Sequence, residues 1–169
     1  MKPFDREGLF LYLVAMSGIF TFLKNAENVK AQSILVDVLR REDVRALIAE
    51  LNTFGQLFED GIDSKGRKLS DIRQPYVEST IQRKRRQGLP VDRVTLFETG
   101  KFYESWNVTI LENGDIEIEA NTEVAPNYDL QKDYGKNILG LTEESISKIS
   151  EFISPLFIEA FQAEVFRGI

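Results

Sequence analysis

Residues 106–120 read WNVTILENGDIEIEA, and the reading of this stretch decides the fold. Asn113-Gly114 lies between two runs in which apolar and polar residues alternate. A strand turns successive side chains to opposite faces, so alternation is its signature. Asn-Gly between two such runs is the strongest short-range hairpin signal, because a tight two-residue turn puts both central residues at positive φ. In the second run Ile116 and Ile118 point one way, and Asp115, Glu117 and Glu119 the other. The expected sheet therefore has one packed face and one wet face.

Immediately upstream, residues 96–105 read LFETGKFYES. Thr99 is placed to cap a short helical turn that begins at Gly100. Phe102, Tyr103 and Trp106 are then three and four residues apart, on one side of that turn, where they would anchor the hairpin. The alternative is a reactive site. Glu98 and Glu104 form a carboxylate pair of the kind glycosidases use, but spacing in sequence does not set the separation in space on which that chemistry depends. Tyr103 and Trp106 would serve equally as base-stacking aromatics or as core; beside a hairpin, large aromatics are more often core.

Helical periodicity flanks this centre. Over 27–53, Val29, Ile34, Leu35, Val38, Leu39, Val44, Leu47, Ile48 and Leu51 recur at three- and four-residue steps, with Arg40, Arg41, Glu42, Asp43 and Glu50 on the polar side. Residues 61–71, GIDSKGRKLSD, read as a loop or loose hairpin. Residues 76–87 suit a short helix closed by Gly88 and Pro90. At the C-terminal end, Thr142 followed by two acids starts a helix over about 142–166. Pro155 is expected to kink or split it near Ser154. The class is α+β: a hairpin at 106–120 packed against long helices at 27–53 and 142–166, in one domain over 26–169. An apolar segment, 1–25, precedes it.

Within that segment, residues 8–23 (GLFLYLVAMSGIFTFL) carry no charge. The run falls short of the roughly 20 residues of a spanning helix. It reads as a helix buried in this protein or a neighbouring subunit, with short membrane insertion or a signal sequence as alternatives. Leu9, Phe10, Leu13, Phe20 and Phe22 are the candidate interface residues it offers.

Composition removes several chemistries. The chain has no histidine and no cysteine. Ser-His-Asp and Cys-His catalysis, His/Cys zinc sites and disulfides are excluded. Net charge is −6, which argues against broad non-specific nucleic-acid binding. Asp60, Asp63 and Asp71 border a Gly-rich loop, but their spacing is not that of an EF-hand. GIDSKG lacks the order of a phosphate loop. No cofactor and no metal is expected. The densest basic run is Arg83, Lys84, Arg85 and Arg86, read as a phosphate-contacting patch or a solvated helix face.

The order of these landmarks resembles the virion-morphogenesis, or tail-completion, proteins of tailed bacteriophages, which act at the head–tail junction. The loop is GIDSKGRKL; the basic stretch is Tyr76 to Gly88 with Thr80 and Lys84; the central motif is LFETGKFYES; the late segment is YGKNILGLTEES at 134–145. Glu98 stands where the family has Asp, and Phe102 where it has Leu. The apolar run 8–23 is not part of the pattern. The resemblance covers about 56–153 and implies a structural, non-catalytic virion protein, present in the host cytoplasm during assembly. It implies a homo-oligomeric ring with head–tail or tail proteins as neighbours. Thr99, Gly100, Phe102, Ser105, Trp106, Gly140 and Leu141 would be its architectural residues. DNA contact through the basic run and membrane association through 8–23 are the alternatives.

Overall fold

The computed structural model describes residues 30–73, 76–126 and 128–167. The apolar run 8–23, with Leu9, Phe10, Leu13, Phe20 and Phe22, lies outside the described residues, as do 27–29 of the expected first helix. The fold is α+β. Helix α1 (Ala31–Leu39) is followed by α2 (Glu42–Glu50), which continues as a π-helix over Leu51–Asp60. Short helices α3 (Leu69–Ile72), α4 (Glu78–Arg86) and α5 (Lys101–Glu104) lead to the hairpin β1 (Asn107–Ile110) and β2 (Ile116–Glu119). A second small hairpin, β3 (Glu123–Ala125) and β4 (Tyr128–Asp129), precedes α6 (Leu130–Tyr134). A 3-10 turn (Lys136–Ile138) then leads to the long helix α7 (Glu143–Val165).

The hairpin forms as its pattern predicts, with Val108 opposite Ile118 and Ile110 opposite Ile116. Its turn differs. Gly114 has φ 90°, but Asn113 is not at positive φ. Leu111 N–H donates to the Asp115 carbonyl (2.9 Å), and Gly114 N–H to the Leu111 carbonyl (3.0 Å). The connection is a three-residue loop in which only the glycine must be left-handed. Asn113 instead caps the turn, accepting from Asp115 N–H at 3.0 Å through its side-chain oxygen.

The single helix expected over 27–53 is broken at Arg40–Arg41. Arg41 is extended (φ −58°, ψ 144°), and Glu42 and Asp43 occupy the first turn of α2. The residues read as a polar helix face are a stop and a restart. Asp43 accepts from Val44 N–H (3.0 Å) and pairs with Arg41 (2.8 Å), and acids favour a helix N-terminus. The break lets α1 and α2 both pack on α7, while α2 also covers β1. Val36, Leu39, Val44, Ile48, Val108, Ile110 and Ile149 form the resulting aliphatic core.

In α7, Thr142 caps as expected, its hydroxyl accepting from Ser145 N–H (3.2 Å). Of the kink or split expected at Pro155, the split does not occur: α7 runs from Glu143 to Val165 with Pro155 inside it. Glu151 and Pro155 are both exposed, on a face where water can serve the carbonyl that proline leaves without its helical donor.

Candidate interaction site

A second, aromatic core holds Leu57, Leu69, Val94, Phe102, Tyr103, Leu130, Tyr134 and Ile138, and the central motif lies in it. Its organising residue is Thr95, fully buried. Thr95 N–H donates to Tyr76 Oη (2.9 Å), its carbonyl accepts from Tyr103 Oη (2.5 Å), and its Oγ1 accepts from Lys84 Nζ (2.9 Å) and Phe97 N–H (3.3 Å). Lys84 Nζ donates a second bond to the Phe97 carbonyl (2.7 Å) and lies 4.7 Å from the Tyr76 ring centroid. Between Thr95 and Phe97, Leu96 is at φ 55°, the only positive-φ residue other than glycine among the described residues. A bulky residue there is rare and marks a backbone held by its surroundings. Here the hold is the Lys84–Thr95–Phe97 knot. Burial pushes the Tyr103 hydroxyl well above the ordinary tyrosine range.

The motif residues are placed as follows. Gly100 is left-handed (φ 84°) and forms the N-cap of α5, but Thr99 is exposed and makes no capping bond. The expected Thr99 cap is therefore replaced by a glycine turn, closed by Glu104 N–H donating to the Gly100 carbonyl (2.9 Å). Phe102 is buried and meets Trp106 edge-on (5.7 Å); Trp106 itself is half-buried, with its Nε1 unpartnered. Ser105 is a structural link: Oγ donates to the Phe102 carbonyl (2.8 Å) and accepts from Asn121 N–H (2.8 Å), tying α5 to the exit of the hairpin. Glu98 is paired with Arg83 (3.0 Å), on the surface.

The basic run does not present four charges on one face. Lys84 is 3% exposed, because α4 packs this side against the 95–97 segment. Arg83 is engaged by Glu98, which leaves Arg85 and Arg86 as the exposed members of the run without an acid partner among the described residues. Asp63, in the Gly-rich loop, is also buried; it accepts from Lys65 N–H, Arg67 N–H and the Arg67 guanidinium (2.7 Å). That loop is the loose hairpin expected, bridged at Ile62 and Lys68.

The late segment is held by two residues that periodicity alone does not single out. Asn52 and Gln56, buried on the π-helix, act as a clamp. Asn52 donates to the Ile138 carbonyl (3.3 Å) and accepts from Gly140 N–H (2.7 Å). Gln56 donates to the Gly140 carbonyl (2.9 Å) and accepts from Thr142 N–H and Ser145 Oγ (both 2.8 Å). Two polar residues four apart inside an apolar stripe were the available signal, since buried amides need partners. Gly140 is required for contact: a Cβ there would sit 3.0 Å from Ser64 Cβ, in the Gly-rich loop. Leu141 packs on the aliphatic core.

Beside the knot opens a cleft of about 580 Å³, walled by α4, residues 96–100, the β3–β4 hairpin and Tyr134. Arg73 lies on its edge, paired with Asp133 and 5.5 Å from the Tyr128 ring. Burial and the neighbouring Tyr128 and Tyr76 push the Tyr134 hydroxyl upward. No family model matches the chain, and no curated protein and no solved structure matches it either.

Proposed function

We propose that this protein is a structural component of a tailed-phage particle, at the head–tail junction or the tail end, assembled as a homo-oligomeric ring. The observation that carries the reading is the convergence of its four sequence landmarks on one packed unit. The Gly-rich loop meets the late segment at Ser64 N–H, which donates to the Asn137 carbonyl (2.9 Å). Gly61 of that loop also meets the approach to the central motif, where a Cβ on it would lie 3.1 Å from the Val94 carbonyl, and Arg93 Nε donates to the Phe58 carbonyl (2.8 Å) on the π-helix that leads into the loop. The basic stretch reaches the motif through Lys84. Landmarks that buttress each other across more than seventy residues support reading them as a set.

The motif's Tyr103 and Ser105 hydroxyls and its aromatic rings serve packing, so the reading assigns it architecture and no catalysis. Exposed apolar side chains, among them Val77 at 67%, Phe54 at 49% and Ile158 at 54%, offer contact to neighbouring subunits. The test is the mass of the purified protein by light scattering, with electron microscopy for ring shape. A closed oligomer is expected; a monodisperse monomer without detergent sinks the reading. A form lacking residues 1–25 that keeps its assembly assigns the contact to the domain and not to the apolar segment.

A further inference from the structure

The cleft beside Lys84 has the size and the chemistry of a binding site. Its volume of about 580 Å³ lies in the range of small-ligand pockets, roughly 300–1,000 Å³. Three cations border it, and two of them are neutralised: Arg73 by Asp133 and Arg83 by Glu98. Lys84 is not. Among the described residues no carboxylate pairs with it, and it is 3% exposed. A buried ammonium without a counter-charge is costly, so a carboxylate brought into the cleft would supply the counter-charge that the fold itself does not. The lysine has three N–H donors. Two are taken by Thr95 Oγ1 and the Phe97 carbonyl, and the third has only the face of the Tyr76 ring, 4.7 Å away, for a partner.

The rest of the lining sets the ligand's other end. Thr80 supplies a hydroxyl, while Tyr128, Tyr134 and Leu130 supply aromatic and apolar wall. At the rim Val77 is 67% and Val124 39% exposed, an apolar edge with nothing over it among the described residues. A single lysine with one N–H not held by an oxygen fits a monoanion better than a phosphate dianion, which needs several donors. We propose that this cleft binds a carboxylate carried on an apolar body, with the carboxylate against Lys84 and the apolar part between Val77 and Val124. The carboxylate comes either from a free organic acid or from an acidic side chain on an apolar stretch of a neighbouring protein.

Two matched probe pairs test this on the full-length protein. One is phenylacetate against phenylacetamide. The other is a blocked Val-Glu-Val tripeptide against its Gln counterpart. Affinity is read by calorimetry and by fluorescence of the single tryptophan, Trp106, which packs on the cleft-lining Phe102. A hydrogen bond to a charged group predicts that the acid binds about tenfold more tightly than the amide. Lys84→Met should abolish the difference. Thr80→Phe, which fills the cleft and leaves Lys84 in place, should abolish binding of both members and guards against a Lys84→Met variant that fails to fold. Preference for phenylacetate alone identifies a free acid, and preference for the Glu peptide a protein segment. Equal binding of acid and amide in both pairs, or acid binding that survives Thr80→Phe, overturns the proposal. A ring that binds neither acid keeps the assembly reading and removes this one; a monomer that binds one does the reverse.

Discussion

Ile48 and Lys84 are both buried, at 0% and 3% exposure, but in cores of different construction. Around Ile48 the neighbours are aliphatic, supplied by α1, α2, α7 and the hairpin. Around Lys84 they are Thr95, Tyr76 and the Phe97 carbonyl, and every contact has a direction. Aliphatic contact tolerates small shifts, because it depends on area and fill. A hydrogen-bonded knot does not, because an orphaned buried donor or acceptor costs the full desolvation of that group. The aliphatic half is thus suited to hold the hairpin in place. The polar half is suited to hold a backbone in an unusual conformation, as at Leu96, and to border a cleft.

The comparison breaks most easily at Ile48. Ile48→Ala should lower unfolding free energy by about 2–5 kcal/mol, the range for a buried isoleucine that leaves a cavity. Chemical denaturation measures it; a loss below about 1 kcal/mol, the scale of an ordinary substitution, would show that this core collapses readily around a void.

Tyr103→Phe sharpens the contrast, since it removes one directed bond and little area. The loss at neutral pH should be about 1–3 kcal/mol, because the buried Thr95 carbonyl is left without its donor. Alkaline pH separates the two proteins further. Burial holds the Tyr103 hydroxyl above its unfolded value, so below pH of about 10 both states keep the proton and the native state is not penalised. Above that, the unfolded chain releases the proton first, and stability falls as pH rises. The variant lacks this group, so its denaturation midpoint should fall less steeply above pH of about 10. Parallel slopes would mean that Tyr103 is not the group being titrated.

The smallest effect distinguishes the two threonines at helix starts. Thr142→Ala removes a cap and should cost about 1 kcal/mol. Thr99→Ala removes an exposed side chain without a capping bond and should change stability by less than about 0.5 kcal/mol. Thermal melts of the pair decide it; equal losses would restore Thr99 as a cap.

The hairpin, the capped start of α7 and the apolar stripes were legible in the residues, because each depends on neighbours within a few positions. The break at Arg40–Arg41 was missed although its acids were visible, because a polar helix face and a stop followed by a restart share one composition. Pro155 misled in the other direction: a lost backbone bond splits a helix only where packing or water does not compensate. The cleft was hidden for a further reason. Its lysine sits in a basic run that looks solvated, and its burial follows from α4 docking on residues 95–97.

By itself, then, the sequence determined local geometry: alternation made the strands, Gly114 permitted the turn, and Thr142 began the last helix. Tertiary structure alone decided which polar residues went inside. Asn52 and Gln56 are buried because the late segment brings backbone groups that satisfy them, and Lys84 because Thr95 and Phe97 do. A polar side chain leaves water only where partners from distant parts of the chain replace its hydration, and the positions of those partners are a property of the whole fold.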